Sequence, residues 1–172
     1  MKEPRRKPPT NRPLMRKRYE PVVDVLRKAF GSRLKAVVLF GSQAREAATA
    51  TSDHDLFVVI EGLPCDRLAR HALVRGTLLP VLDQLPGPIA FALKTPDEFE
   101  ANLTPLLLDI CLEGICLHGR AFFEPYRRKA LKAVRQSGLR RTEVGNTMMW
   151  VLPRFPTNDW ELTWEGYREL QG

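Results

Sequence analysis

The sequence predicts an α/β (α+β) domain on a small sheet of four short strands. Three observations carry that prediction. Apolar, β-branched runs of strand length alternate with helical patterns, glycine and proline punctuate the joins, and no segment repeats. At 172 residues and 19.6 kDa the chain fits one domain with modest appendages.

Residues 20–30 read as a helix: Pro21 suits a first turn, Val22, Val23, Leu26, Ala29 and Phe30 share a face, and Gly31 stops it. Residues 34–40 are a short apolar run ending at glycine, which reads as a buried strand. Residues 41–52 are small and polar, a loop with a turn of helix over 44–48. A second strand covers 53–60, and a helical pattern follows over 66–85, with breaks expected at Gly76 and Pro80. Pro86-Gly87-Pro88 is a turn and residues 89–93 a third strand. Thr95-Pro96-Asp97-Glu98 is a capping box, so a helix should run on to about Leu103. Residues 105–113 make another helix, 115–118 a short edge strand, and 123–137 a basic helix stopped by Gly138. Trp160, Trp164, Tyr167 and Leu170 share one stripe of a last helix over 158–171. The expected organisation is a flexible basic, Pro-rich tail at 1–18, a folded domain at 19–119 and a helical C-terminal extension at 120–172.

The pI of 9.7 is a local property. Residues 1–18 hold eight basic side chains against Glu3, which is the whole formal charge of +7, so the rest of the chain is neutral. Pro4, Pro8, Pro9 and Pro13 deny that stretch a helix. It reads as a solubilising tail, with a weak, salt-sensitive polyanion contact as the alternative. No apolar run reaches the roughly 18–20 residues of a membrane span, and no apolar stretch follows the basic N-terminus as in a secretory signal. Cys65, Cys111 and Cys116 are too few and too irregular for a disulfide framework, so a cytoplasmic protein with reduced thiols is expected.

The chemistry concentrates between Phe40 and Leu56, where Gly41-Ser42 is followed by Asp53-His54-Asp55. On a strand Asp53 and Asp55 point to one side and His54 to the other. Two carboxylates so placed repel unless a cation lies between them. Mg²⁺ is the natural choice, a hard ion that takes one or two carboxylates plus substrate phosphates. Gly41 allows close backbone approach, and Ser42 adds a hydroxyl and an N–H to an anion-binding turn. The segment therefore predicts a site for a metal-bound nucleoside triphosphate.

Val38-Leu39-Phe40-Gly41-Ser42-Gln43-Ala44-Arg45 and Ser52-Asp53-His54-Asp55-Leu56 resemble the signature of the minimal nucleotidyltransferases, in the DNA polymerase beta superfamily. The likeness is close over 36–60 and looser to about residue 119, so 19–119 would be the nucleotidyltransferase domain. It implies a mixed four-stranded sheet flanked by helices, and transfer of a nucleoside monophosphate from an NTP to a hydroxyl with Mg²⁺. Asp53 and Asp55 would be the catalytic metal ligands, with Gly41, Ser42 and Arg45 at the triphosphate. ATP is the expected donor. The acceptor would be a tyrosine or serine of a partner, as in antitoxin members paired with HEPN-type toxins, or an aminoglycoside-like small molecule.

Three positions depart from the family pattern. Glu46 stands where a glycine is common, and His54 where an aliphatic residue is usual; the histidine reads as a core residue with a satisfied hydrogen bond. Active members also carry a third carboxylate on the next strand, which takes the acceptor's proton. The expected position here is Ala90 or Ala92. Lys94 continues that face and could meet a phosphate. Three readings follow: transfer with the base supplied from elsewhere, nucleotide binding or protein interaction without chemistry, or Asp109 or Glu113 swinging in from the next helix.

Elsewhere, Cys111 and Cys116 read as buried small hydrophobes and His71 as a surface residue. Arg127, Arg128, Lys129, Lys132 and Arg135, continued by Arg140 and Arg141, read as a solvated basic face. The Trp160-Trp164-Tyr167 stripe reads as core packing.

Overall fold

A computed structural model describes residues 12–49, 52–145, 147–154 and 156–170. Helix α1 (Arg12–Phe30) leads through a turn of 3-10 helix into β1 (Leu34–Phe40), the short α2 (Gly41–Ala44) and β2 (His54–Ile60). Then come α3 (Arg67–Leu78), β3 (Ile89–Lys94), α4 (Pro96–Ala101), α5 (Pro105–Glu113) and β4 (Ile115–His118). Helix α6 (Arg120–Ser137) precedes two hairpins, β5 (Arg140–Val144) with β6 (Thr147–Val151), and β7 (Trp160–Thr163) with β8 (Gly166–Glu169).

The central sheet has the order β3-β2-β1-β4 and is mixed: β1 runs antiparallel to β2 and β4, while β3 lies parallel to β2. Both faces are covered, so its central strands are almost wholly apolar. Alternation along β2 sorts its side chains. Leu56, Val58 and Ile60 join the core under α1 and α3, whereas Phe57 and Val59 join a second core with Phe99, Leu107, Ile110 and Phe123. By the same alternation Asp55 falls on the side of Phe57, and His54 on the side of Leu56.

Three expectations need correction. The tail expected over 1–18 lies outside the described residues up to residue 11, but residues 12–18 are helical. Pro13 sits in the first turn, where its missing N–H costs nothing, and Met15 and Tyr19 extend the buried face of Val22, Val23, Leu26 and Phe30. Gly76 does not break α3, because Val74 and Leu78 on either side of it are fully buried. The C-terminal extension is helical only through α6. Beyond Gly138, at φ 70°, it is two hairpins.

The helical stripe failed for a local reason. Gly166, at φ 135°, closes a two-residue turn after Thr163, so Trp160 and Tyr167 meet across a hairpin with their rings 6.0 Å apart. Trp164 alone enters the core. Its indole N–H donates to the Phe99 carbonyl at 3.2 Å, and its ring stands 4.9 Å from that of Phe99. The expected core packing is thus correct for Trp164 but not for Trp160, which is exposed. The capping box is present in full, with Thr95 and Glu98 exchanging both hydrogen bonds, although α4 ends at Ala101. Cys111 and Cys116 are buried and His71 is exposed.

Candidate active site

Strand β1 ends at Phe40, which pairs with Asp55 of β2, and the chain turns directly into α2 at Gly41. Gly41 holds φ 71°, and a Cβ added there would collide with the Asp55 carboxylate. Glycine is required twice over, for the backbone angle and for the space. Ser42 is the next residue of the turn, and its carbonyl accepts from Ala47 N at 3.0 Å. Gln43 is buried, and its amide donates to the Ser52 carbonyl at 3.3 Å. That bond ties the start of the loop to the residue before Asp53.

Asp53 is exposed and Asp55 half-buried. Burial raises the Asp55 carboxyl above the ordinary aspartate range and the Asp53 charge raises it further, against the opposing pull of Arg45 and His54. Among the described residues neither aspartate lies within ion-pair distance of a basic side chain. Two hard oxygen donors, mutually repelling and beside a turn open to phosphate, fit a divalent cation such as Mg²⁺. Among the described residues no three His, Cys, Asp or Glu side chains converge on one point. A cation here would take its remaining oxygens from water or from a bound phosphate.

His54 turns the other way and is fully buried. Its Nε2 faces the Pro86 carbonyl at 2.7 Å, which can only accept, so Nε2 carries the hydrogen. Nδ1 then accepts from the Tyr19 hydroxyl at 2.5 Å, which burial keeps protonated by pushing it up to about 12. The histidine anchors the start of β2 from behind.

The parallel register sets Ala90 directly opposite Asp55 and Ala92 opposite Phe57. Of the two expected positions, Ala90 is the one beside the carboxylates. A cavity of about 350 Å³, lined by His71, Ala72, Arg75, Ile89, Ala90 and Phe91, borders this strand on the open edge of the sheet. A larger one of about 530 Å³, lined by Asp24, Arg27, Lys28, Gly31 and His118, is remote from the aspartates.

Lys94 does not join the site. It pairs with Val59, four residues and roughly 13 Å along β2 from Asp55. Its Nζ instead reaches the Glu98 carbonyl at 3.4 Å. Sharing a face is not sharing a place on it.

Arg45, just beyond α2, meets Glu113 of α5 at 3.4 Å. Glu113 also contacts Arg141 of β5. One turn back, Asp109 Oδ1 lies 3.1 Å from Arg141 Nε and accepts from Trp150 Nε1 at 2.9 Å. Neither acid has swung toward the aspartate pair, because both are held by cationic or N–H partners. Arg141 is not part of a solvated face either: its side chain is 9% exposed. No local signal in the sequence separates it from Arg140, since only the pairing of Arg141 with Trp150 across the β5–β6 hairpin aims it at α5.

Residues 22–85, from α1 through the turn after α3, match the profile of the nucleotidyltransferase domain. The chain carries the Gly-Ser turn and both aspartates within that matched segment. Among known proteins, it is 33% identical over 85 residues to one of Methanocaldococcus jannaschii that bears the name "Putative protein adenylyltransferase". The match takes in 49% of this chain and 58% of that relative, so the chain spans less than two thirds of the relative's length. Among solved structures, it is similar to a chain of a toxin–antitoxin complex with AMP-PNP (19% identity, TM-score 0.47, 67% of this chain and 86% of the other). It is also similar to a chain from the tri-AMPylated Shewanella oneidensis HEPN toxin in complex with MNT antitoxin (17% identity, TM-score 0.35, 69% and 92%). No helix of the described residues is long and apolar enough to cross a membrane.

Proposed function

We propose that this protein is a Mg²⁺-dependent nucleotidyltransferase that moves AMP from ATP to a hydroxyl group of a protein. The observation that carries the reading is the pair Asp53 and Asp55, set against a turn where only glycine fits at position 41. Asp53 and Asp55 would hold the metal, and Gly41, Ser42 and Arg45 would hold the phosphates. When bound, Mg²⁺ neutralises the triphosphate and polarises its oxygens. The acceptor oxygen bonds to the α-phosphorus, the bond to the bridging oxygen breaks, and pyrophosphate leaves with that electron pair. Ala90 cannot receive the hydroxyl proton, so it passes to water or to a group the acceptor brings.

The name of the Methanocaldococcus relative supports a protein acceptor. The resemblance of residues 38–45 and 52–56 to minimal nucleotidyltransferases points to a HEPN-type partner. Alanine opposite Asp55 favours a second reading, a nucleotide-binding or antitoxin-like interaction module without turnover. Labelled ATP, Mg²⁺ and a candidate partner separate the two. Label on the partner, absent with Asp55→Asn, supports transfer; Mg-ATP binding with no label on any acceptor leaves the binding module.

A further inference from the structure

We propose that the open edge of β3 is a docking strand for an extended, acidic segment of the acceptor protein, which it holds beside the aspartate pair. The inference rests on the reading above, in which the acceptor is a hydroxyl group of a protein, and adds how that acceptor is bound.

Among the described residues β3 has one neighbour in the sheet, β2. The parallel register decides which of its backbone groups are used. His54 N donates to the Pro88 carbonyl at 2.8 Å, so that carbonyl points toward β2. In a parallel ladder the inward-pointing groups then fall on every second residue: Pro88, Ala90, Ala92 and Lys94. The N–H and C=O groups of Ile89, Phe91 and Leu93 point outward, and among the described residues nothing bonds them. Such a row is the template for an added strand.

What borders the edge selects the occupant. The cavity of about 350 Å³ is lined by Ile89, Ala90 and Phe91 of the strand and by His71, Ala72 and Arg75 of α3. Arg67 stands one turn before His71 on the same stripe of that helix. Among the described residues no carboxylate lies within ion-pair distance of Arg67, His71 or Arg75, whereas Arg70 is held by Glu98 at 2.7 Å. An edge bordered by unmatched basic groups fits an acidic segment. A second copy of this chain would set two such basic rows against each other, which is repulsive.

Neighbouring strands lie about 4.8 Å apart, so an added strand would run roughly 10 Å from the backbone of β2. Ala90 is directly opposite Asp55, and its methyl leaves room for a side chain to pass over it. Alternation divides the side chains of the added strand between two faces. One set meets His71 and Arg75 on the side of α3, and the other lies over Ala90. The recognised sequence is therefore a hydroxyl residue with an acid immediately on each side.

The probe is the fluorescein-labelled peptide Thr-Val-Asp-Tyr-Asp-Val-Thr, titrated by anisotropy into the full chain without nucleotide. A Kd below about 1 mM is expected, and no binding at that concentration overturns the proposal. Arg75→Glu, at an exposed position, should weaken binding about tenfold and should prefer a peptide with lysines in place of the two acids. Binding indifferent to that exchange overturns the charge match. N-methylation of one alternate set of peptide nitrogens should abolish binding and methylation of the other set should not; equal effects would mean that no strand is added. Amide exchange reads the same alternation in the protein. Phe91 and Leu93 should slow when the peptide binds, while Ala90 and Ala92 stay as they are, and unchanged Phe91 and Leu93 overturn the proposal. A wild-type dimer in sedimentation that the peptide dissociates would give the edge to a second copy instead. With Mg-ATP added, label on the peptide's tyrosine joins docking to transfer. A peptide that docks but takes no label leaves the docking strand standing and counts against transfer alone.

Discussion

Two pairs of carboxylates flank Arg45, and the protein treats them in opposite ways. Asp109 and Glu113, a turn apart on α5, are matched by Arg141, Trp150 and Arg45. Asp53 and Asp55, two apart on the loop and strand that open β2, are left to repel each other, and Asp55 is pushed up by burial and by its neighbour. The first pair holds a hairpin onto a helix. In the second, Asp55 carries a raised carboxyl with no basic partner at ion-pair distance among the described residues, a pattern common at binding sites. What separates site from scaffold here is compensation, not acidity.

The largest expected effect comes from enlarging the uncompensated pair. Ala90→Asp sets a third carboxylate opposite Asp55, and transfer to a hydroxyl acceptor should rise by about 100-fold or more, the usual worth of a positioned base. Ala92→Asp, beside Phe57 in the core, should instead lower Tm and leave transfer unimproved. Equal gains from both would show that the register does not decide.

Breaking the compensated pair should cost stability. Asp109→Ala leaves the nearly buried Arg141 with one acid and Trp150 with no acceptor, and a loss of about 3 kcal/mol in urea unfolding is expected. Asp55→Asn should do the reverse and raise Tm in metal-free protein. The pH dependence follows with its sign. The folded-state pKa of Asp55 lies above its unfolded value, so the folded state binds the proton more tightly there. Metal-free stability from this group should fall as pH rises from the ordinary aspartate value through the raised one, and Asp55→Asn should flatten that slope. A variant that loses stability at neutral pH would mean the pair is structural after all.

The smallest effect lies on the arm that carries Arg45. Glu46 is the non-glycine residue at positive φ, 57°, among the described residues. Glu46→Gly should relieve about 1 kcal/mol of backbone strain, read as a small rise in Tm. That angle also supplies the physical reason a glycine is common there.

Much of this was legible in the sequence where local chemistry and long-range packing agree. Strands β1 and β4 and helix α5 match their expected bounds because each is a short apolar run with glycine or proline at its ends. The inward His54 follows from period-two alternation alone. The C-terminal hairpins are not legible from periodicity, because Trp160, Trp164, Tyr167 and Leu170 are spaced as on a helix while β7 and β8 hold only Trp160 and Tyr167 of the four; glycine at 166 is the local signal for a turn. The Gly-Asn pair at 145–146 is a hairpin signal of the same kind. Lys94 shares the face of Ala90 but sits at the far end of β3, because alternation fixes a side chain's face and not its distance along the strand. Arg141 was unreadable: its role depends on which helix the β5–β6 hairpin packs against.

The central claim is that the uncompensated aspartates hold a metal-bound triphosphate. Titration of ATP into the wild type by calorimetry, with Mg²⁺ and again with EDTA, tests it most directly, with Asp53→Asn run alongside as a folded control by circular dichroism. Binding that requires Mg²⁺ and disappears in Asp53→Asn is the predicted result. Binding that is equal in EDTA, or unchanged by Asp53→Asn, would contradict it.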